Sequence, residues 1–282
     1  MIGNYFLMGL ALVAVVFATF NDLKKREVAN WINYSLLGVA LIFRFGWALN
    51  LGEWDYLFYG FLGVAIMFVI GNLFYYTQAF AGGDAKLLIA LGAVFPYGSY
   101  LEVAIYDILF IGVLLIVGLF YSLIYSAVLS GMNFGKFSRA FSLQVRKNKW
   151  MFLVGWILAL LLIIWGEAII MYLGALIFIL PLLFSYLRAV EESCLIMEMK
   201  PSELSEGEWL NSDVKIGGKW IRKSVHGLSN EDIKWIRKHG KKVIVRQGIP
   251  FVPAFLIAIL IMGYVFSLLE KMNLSDLISF VL

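Results

Sequence analysis

Apolar residues fill this chain in long stretches separated by short polar connectors. They run over 2–20, 31–49, 56–78, 85–97, 103–130, 151–166, 168–187 and 249–269. A helix of about 20 apolar residues covers the roughly 30 Å of hydrocarbon in a bilayer. The alternating ten-residue segments of an outer-membrane barrel are absent from the pattern. An all-α polytopic membrane protein is therefore predicted, with about eight transmembrane helices, or as few as six if the short segments form a re-entrant pair.

Between 188 and 248 the apolar periodicity stops and shorter signals take over. "SDVKIGGKWIRKSV" reads as a hairpin turning at Gly217 and Gly218. "LSNEDIKWIRKHG" reads as a helix capped by Ser229 and ended by Gly240, with acids in its first turn and bases in its last. "KKVIVRQG" then reads as a strand. These elements predict a small α+β cap of ββαβ type. The predicted organisation is a helical bundle over 1–187 that carries both aspartates discussed below, the cap over 188–248, and a last transmembrane helix with a short outer tail over 249–282.

Composition strengthens the membrane reading: 62% of the 282 residues are hydrophobic and 15% are charged. A soluble domain has about 45–50% and 25%. Trp31, Trp47, Trp54, Trp150 and Trp165 fall near predicted span ends, as interfacial anchors do. The first apolar stretch has no base before it and Lys24, Lys25 and Arg26 after it, the reverse of a secretory signal. It is expected to stay in the mature protein.

Basic residues also set an expected topology. Lys24, Lys25 and Arg26, then Lys86, then five bases from Lys136 to Lys149, then twelve from Arg188 to Arg246 mark alternate connectors. The remaining connectors hold only Glu53 and Asp55, Glu102, and Glu167 as charged groups. The excess of Lys and Arg marks cytoplasmic loops, which puts both termini outside the cell membrane. Within the cap, seven acids lie over 191–213 and ten bases over 215–246. The basic half suits anionic lipid headgroups. No nucleic-acid partner is implied.

Two acids then stand out. Asp22 ends the first span in "ATFNDLKKREVANWIN", and Asp84 begins the fourth in "AFAGGDAKLL". A carboxylate beside hydrocarbon is costly and normally faces protein or water. Both are expected at the same, cytoplasmic, depth. If the first and fourth spans pack together, the two carboxyls meet and share a proton, because like charges a few ångströms apart do not both ionise cheaply. Such a pair hydrolyses peptide bonds: one carboxylate draws a proton from water while its protonated partner bonds the scissile carbonyl. Gly82 and Gly83 are expected to free the backbone from helix there, with Lys86 a nearby cation. Spacing alone equally fits two acids that merely end their helices beside Lys and Arg.

Asp22 with its basic run and "VAN", together with "AGGDAKLL" some sixty residues on, resembles the GxGD intramembrane aspartic proteases, in particular prepilin and preflagellin peptidases. "GLSNEDIKWIR" and "KVIVRQGIPFVPAF" are similar to the tail of the archaeal branch. The resemblance implies a membrane aspartic endopeptidase with Asp22 and Asp84 as its catalytic dyad and Ala81, Gly82, Gly83 and Lys86 shaping the loop around them. It implies removal of a short basic leader from type IV prepilin-like or prearchaellin substrates at the cytoplasmic face. The first glycine of the motif is Ala81 here, which fits only if that residue has negative φ. Ala29 stands where a proline is common. One cysteine, Cys194, cannot build the four-cysteine zinc module of bifunctional relatives, so N-methylation is not expected.

The acids Glu198, Glu203, Glu206 and Glu208 are candidates for docking a basic leader, by charge complementarity. No cofactor is implied, and His226 and His239 lack the spaced third ligand of a metal site. Asp107, inside the fifth span and nearer the outer face, is expected to pair with Tyr or Arg44. The alternative functions are a proton-coupled transporter using Asp22, Asp84 and Asp107, or a silent scaffold of a surface-filament machine.

Overall fold

The computed structural model describes residues 2–271, so the expected outer tail lies outside the described residues. Helices α1 (Ile2–Lys25), α2 (Asn30–Leu51), α3 (Trp54–Tyr76), α4 (Gly82–Leu91), α5 (Tyr100–Met132), α6 (Phe134–Lys147), α7 (Lys149–Ile164) and α8 (Ala168–Val190) fill the first two thirds. Strands β1 (Ile196–Met199), β2 (Trp209–Leu210), β3 (Val214–Ile216) and β4 (Lys219–Ile221) follow, then α9 (Asn230–His239), β5 (Val243–Arg246) and α10 (Val252–Lys271). Apolar stretches form helix because hydrocarbon offers the backbone no other partner than itself.

Among the described residues, five helices are long and apolar enough to cross a membrane: α1, α2, α3, α5 and α8. The pair α6 and α7, bent by 69° at Asn148, makes a sixth if taken together. The polytopic helical class with a small α+β region stands, with five or six spans among the described residues against the six to eight predicted. The reason lies in α4. Its ten residues reach about 15 Å, half of a bilayer's hydrocarbon. The apolar run beyond it, Gly92–Tyr97, leaves helix altogether.

The chain folds as two compact units, Met1–Ser122 with Gly248–Leu282, and Leu123–Gln247. In the first, α1 packs on α2 and α10, and α2 packs on α3 and α4. Leu7, Ala11, Leu36, Met67, Leu88, Phe110 and Phe255 belong to its core. In the second, α7 and α8 form an antiparallel pair turning at Gly166, φ 87°. Gln144 on α6 donates to Glu192 at 2.7 Å.

The second unit also contains the cap. Its hairpin β3–β4 turns at Gly217 and Gly218, φ 56° and 86°, conformations open to glycine. The Ser229 hydroxyl accepts from the Asp232 amide at 3.2 Å, and Gly240 ends α9 with φ 61°. The strand β5 is the centre of an antiparallel sheet in the order β1-β5-β2. Its partners β1 and β2 lie in the acidic stretch, where the sequence reading placed no strand. Val243 and Val245 of β5 and Ile233 and Ile236 of α9 are buried together in the cap core.

Candidate active site

Asp22 sits one turn before the end of α1 and is 5% exposed. Its Oδ2 accepts the Val252 amide at 2.9 Å, so this carboxylate caps the N-terminus of α10. A helix start presents amides without intrahelical partners and the positive end of the peptide dipoles, which is where an acid is held best. The chain turns out of α1 at Arg26, whose φ is 55° and whose amide donates back to the Asp22 carbonyl at 2.8 Å. The Arg26 guanidinium donates to the Gly248 carbonyl at 3.3 Å, a second tie between the end of α1 and the approach to α10.

Asp84 lies in the first turn of α4 and is 7% exposed. Its Oδ2 accepts the Ala81 amide at 3.3 Å, so it too is bound at a helix start, that of its own helix. The preceding turn closes α3 through Gln78 in the left-handed region, φ 60°, with the Ala79 amide on the Phe74 carbonyl and the Gln78 amide on the Tyr75 carbonyl. Arg26 and Gln78 are the two non-glycine residues with positive φ among the described residues. Both belong to the turns that present the aspartates. Ala81 has φ −69° and ψ 161°, extended backbone that alanine adopts freely, so its departure from the glycine of the motif carries no strain.

The two carboxyls are close enough to interact electrostatically. The element common to their helices is α2, which packs on both α1 and α4. At its start, Asn33 Nδ2 donates to the Gly83 carbonyl at 3.3 Å, and Asn30 Oδ1 accepts Lys86 Nζ at 2.8 Å. Spacing i, i+3 puts both asparagines on one face. They were not among the residues singled out from the sequence. The signal for them is two amides one turn apart at the start of an apolar span.

Gly82 and Gly83 are helical here, as the first residues of α4, and neither has positive φ. Gly83 instead answers to crowding: a Cβ there would lie 3.0 Å from the Val28 Cβ and 3.2 Å from the Val28 amide nitrogen. Close approach of α4 to the α1–α2 connection, rather than departure from helix, is what this glycine permits.

Each of the four acids considered for docking has a partner within the cap. Glu198 pairs with Lys242 at 3.1 Å, Glu203 accepts the Lys200 amide at 3.2 Å, Glu206 accepts Asn230 Nδ2 at 2.6 Å, and Glu208 accepts the Ser205 amide at 3.3 Å.

Two buried carboxyls, each with one oxygen on a backbone amide, thus lie close enough to interact electrostatically. Comparison with known proteins covers this locus. Residues 9–132, which include both aspartates, match the model of the type IV leader peptidase family. The prepilin peptidase EppA of Methanothermobacter thermautotrophicus is 27% identical over 88 residues, 31% of this chain and 23% of that protein. The preflagellin peptidase of Methanococcus maripaludis is 27% identical over 84 residues, 30% of this chain and 36% of that protein. The matched stretch thus spans about a quarter to a third of these relatives' own length. No solved structure matches. The segment that brings Asp22 and Asp84 together is therefore similar to the type IV leader peptidase family, as its motifs alone indicated.

Proposed function

We propose that this protein is a membrane aspartic endopeptidase that removes short basic leaders from type IV prepilin-like or archaellin precursors. Asp22 and Asp84 are its dyad. The observation that carries the reading is that the fold gathers these two acids, 62 positions apart in the chain, at one end of a bundle whose matching segment is similar to leader peptidases.

In this reading the dyad shares a proton. The ionised member takes a proton from the attacking water while the protonated member bonds the scissile carbonyl, and the roles reverse as the amine leaves. The pair titrates as a unit, with two macroscopic constants belonging to neither residue alone. The backbone amides of Val252 and Ala81 hold one oxygen of each acid, which orients the other toward substrate. Lys24, Lys25 and Lys86 cluster in sequence around the two acids, which supports a cytoplasmic location for this end and a cut where the substrate's own apolar helix enters the membrane.

The test uses the full chain in detergent with a precursor carrying a Lys-rich leader ahead of an apolar helix. The product is sized and its new N-terminus read by mass spectrometry. Cleavage ahead of the apolar helix, lost in Asp22→Asn and in Asp84→Asn, is the expected result. Cleavage that survives either substitution excludes the dyad.

A further inference from the structure

The end of the first unit opposite the aspartates holds another buried polar group. Arg44, near the end of α2, is 0% exposed. Its Nε donates to the Ala93 carbonyl at 2.7 Å, its Nη2 to the Phe95 carbonyl at 2.5 Å and its Nη1 to the Tyr56 carbonyl at 2.8 Å. Ala93 and Phe95 lie just past the C-terminus of α4. The last carbonyls of α4, on Ile89, Ala90 and Leu91, accept the amides of Gly92, Ala93 and Val94 as the chain turns away. The guanidinium takes carbonyls of the segment that follows this turn, and its planar fork satisfies two of them in fixed directions, which a lysine ammonium does not.

The rest of the group balances the charge and removes slack. Tyr97 lies beneath the guanidinium, its ring centroid 5.2 Å away, and its hydroxyl is 2.5 Å from Asp107 Oδ1. Asp107 is 0% exposed and lies close enough to act electrostatically on the guanidinium; its Oδ2 has no hydrogen-bond partner among the described residues. On the α3 side, a Cβ added at Gly60 would lie 2.5 Å from Arg44 Cδ, and one at Gly63 would run into the Gly92 carbonyl. The C-terminal end of α4 is thereby fixed from two helices at once. Its N-terminal end, with Asp84, is tied to α2 by the longer Asn33–Gly83 bond of 3.3 Å and by the exposed Lys86.

We propose that Arg44 is a positioning residue for Asp84, the fulcrum of a lever formed by α4. The inference rests on the dyad reading above. Over a helix of about 15 Å, a tilt of about 4° at the clamp displaces the far end by about 1 Å, enough to impair a reaction that depends on alignment. The guanidinium touches no reacting atom in this account. It sets where Asp84 stands relative to Asp22.

The test compares Arg44→Lys, which keeps the charge and loses the fork, with Arg44→Met, in the full detergent-solubilised chain. Spin labels are placed at Lys25→Cys and Lys86→Cys in a Cys194→Ser background, and their separation is read by electron paramagnetic resonance. Kinetics are measured on unlabelled protein. The expected result for Arg44→Lys is a label distribution broadened or shifted by about 2 Å, with kcat lowered about tenfold or more and KM within about twofold. If Arg44→Met does not fold, the Lys variant carries the test. A wild-type label distribution in Arg44→Lys overturns the proposal, and so does reduced thermal stability with unchanged kcat per folded molecule. Should the parent chain not cleave the precursor at all, the proposed function fails while the label distances still decide the role of Arg44.

Discussion

The two ends of the first unit solve the same problem differently. Asp107 is more deeply buried than Asp22 or Asp84, at 0% exposed against 5% and 7%. Burial therefore does not mark the chemistry; the partners do. At the far end the acid meets a tyrosine hydroxyl beside an arginine whose guanidinium is spent on three backbone carbonyls, while Asp107 Oδ2 has no hydrogen-bond partner among the described residues. At the near end two acids lie close enough to interact, each with one oxygen on a backbone amide, with the Arg26 charge near Asp22 and Lys86 bonded to Asn30. In the proposed reading the first arrangement, anchored by the arginine, fixes structure and the second meets the substrate.

Substitutions can break that contrast. The largest effect is expected at the near end: Asp22→Asn or Asp84→Asn lowers cleavage about 10³-fold or more. Stability changes little, because an amide oxygen still accepts the Val252 or Ala81 amide. Rates and thermal midpoints measured together check both halves. At the far end the balance inverts. Arg44→Met leaves the Ala93, Phe95 and Tyr56 carbonyls and Asp107 without their cation and is expected to destabilise the protein by about 3–5 kcal/mol, read as the unfolding midpoint in detergent. A midpoint near wild type would show that the clamp is not structural.

Between the ends, Gly83→Val forces side-chain atoms against Val28 and is expected to destabilise the fold by about 1–3 kcal/mol, again by thermal unfolding. The smallest effect belongs to Ala81→Gly. With φ −69° the position gains nothing from glycine's extra freedom, and the unfolding midpoint should correspond to a change within about 0.5 kcal/mol. A large stabilisation would mean that Ala81 is strained.

Much of this was legible in the sequence, residue by residue. Hydropathy marked the long helices, and the paired acids with their glycines marked the candidate site. Ser229, Gly240 and the Gly217–Gly218 turn announced the cap's helix and hairpin through local chemistry. Asp107 was expected to pair with Tyr or Arg44, and it meets Tyr97 at 2.5 Å with Arg44 beside that ring. Other features depend on partners that a linear reading does not see. The run 85–97 looked like a span because its residues are apolar, but they are buried against protein, with α4 ending at Leu91. The strands β1 and β2, of four and two residues, form only because β5 lies between them. Gly83 was read as a backbone hinge and is instead a contact, since the crowding comes from Val28, 55 positions earlier.

That Asp22 and Asp84 act as one unit is the central claim, and a double-mutant cycle tests it most directly. Single-turnover cleavage of a leader-bearing precursor is measured for the parent chain, Asp22→Asn, Asp84→Asn and the double variant. Residues that share one proton are strongly non-additive. The account predicts that either single change abolishes cleavage to the level of the double variant. Losses that multiply independently, or cleavage retained in either single variant, would contradict it.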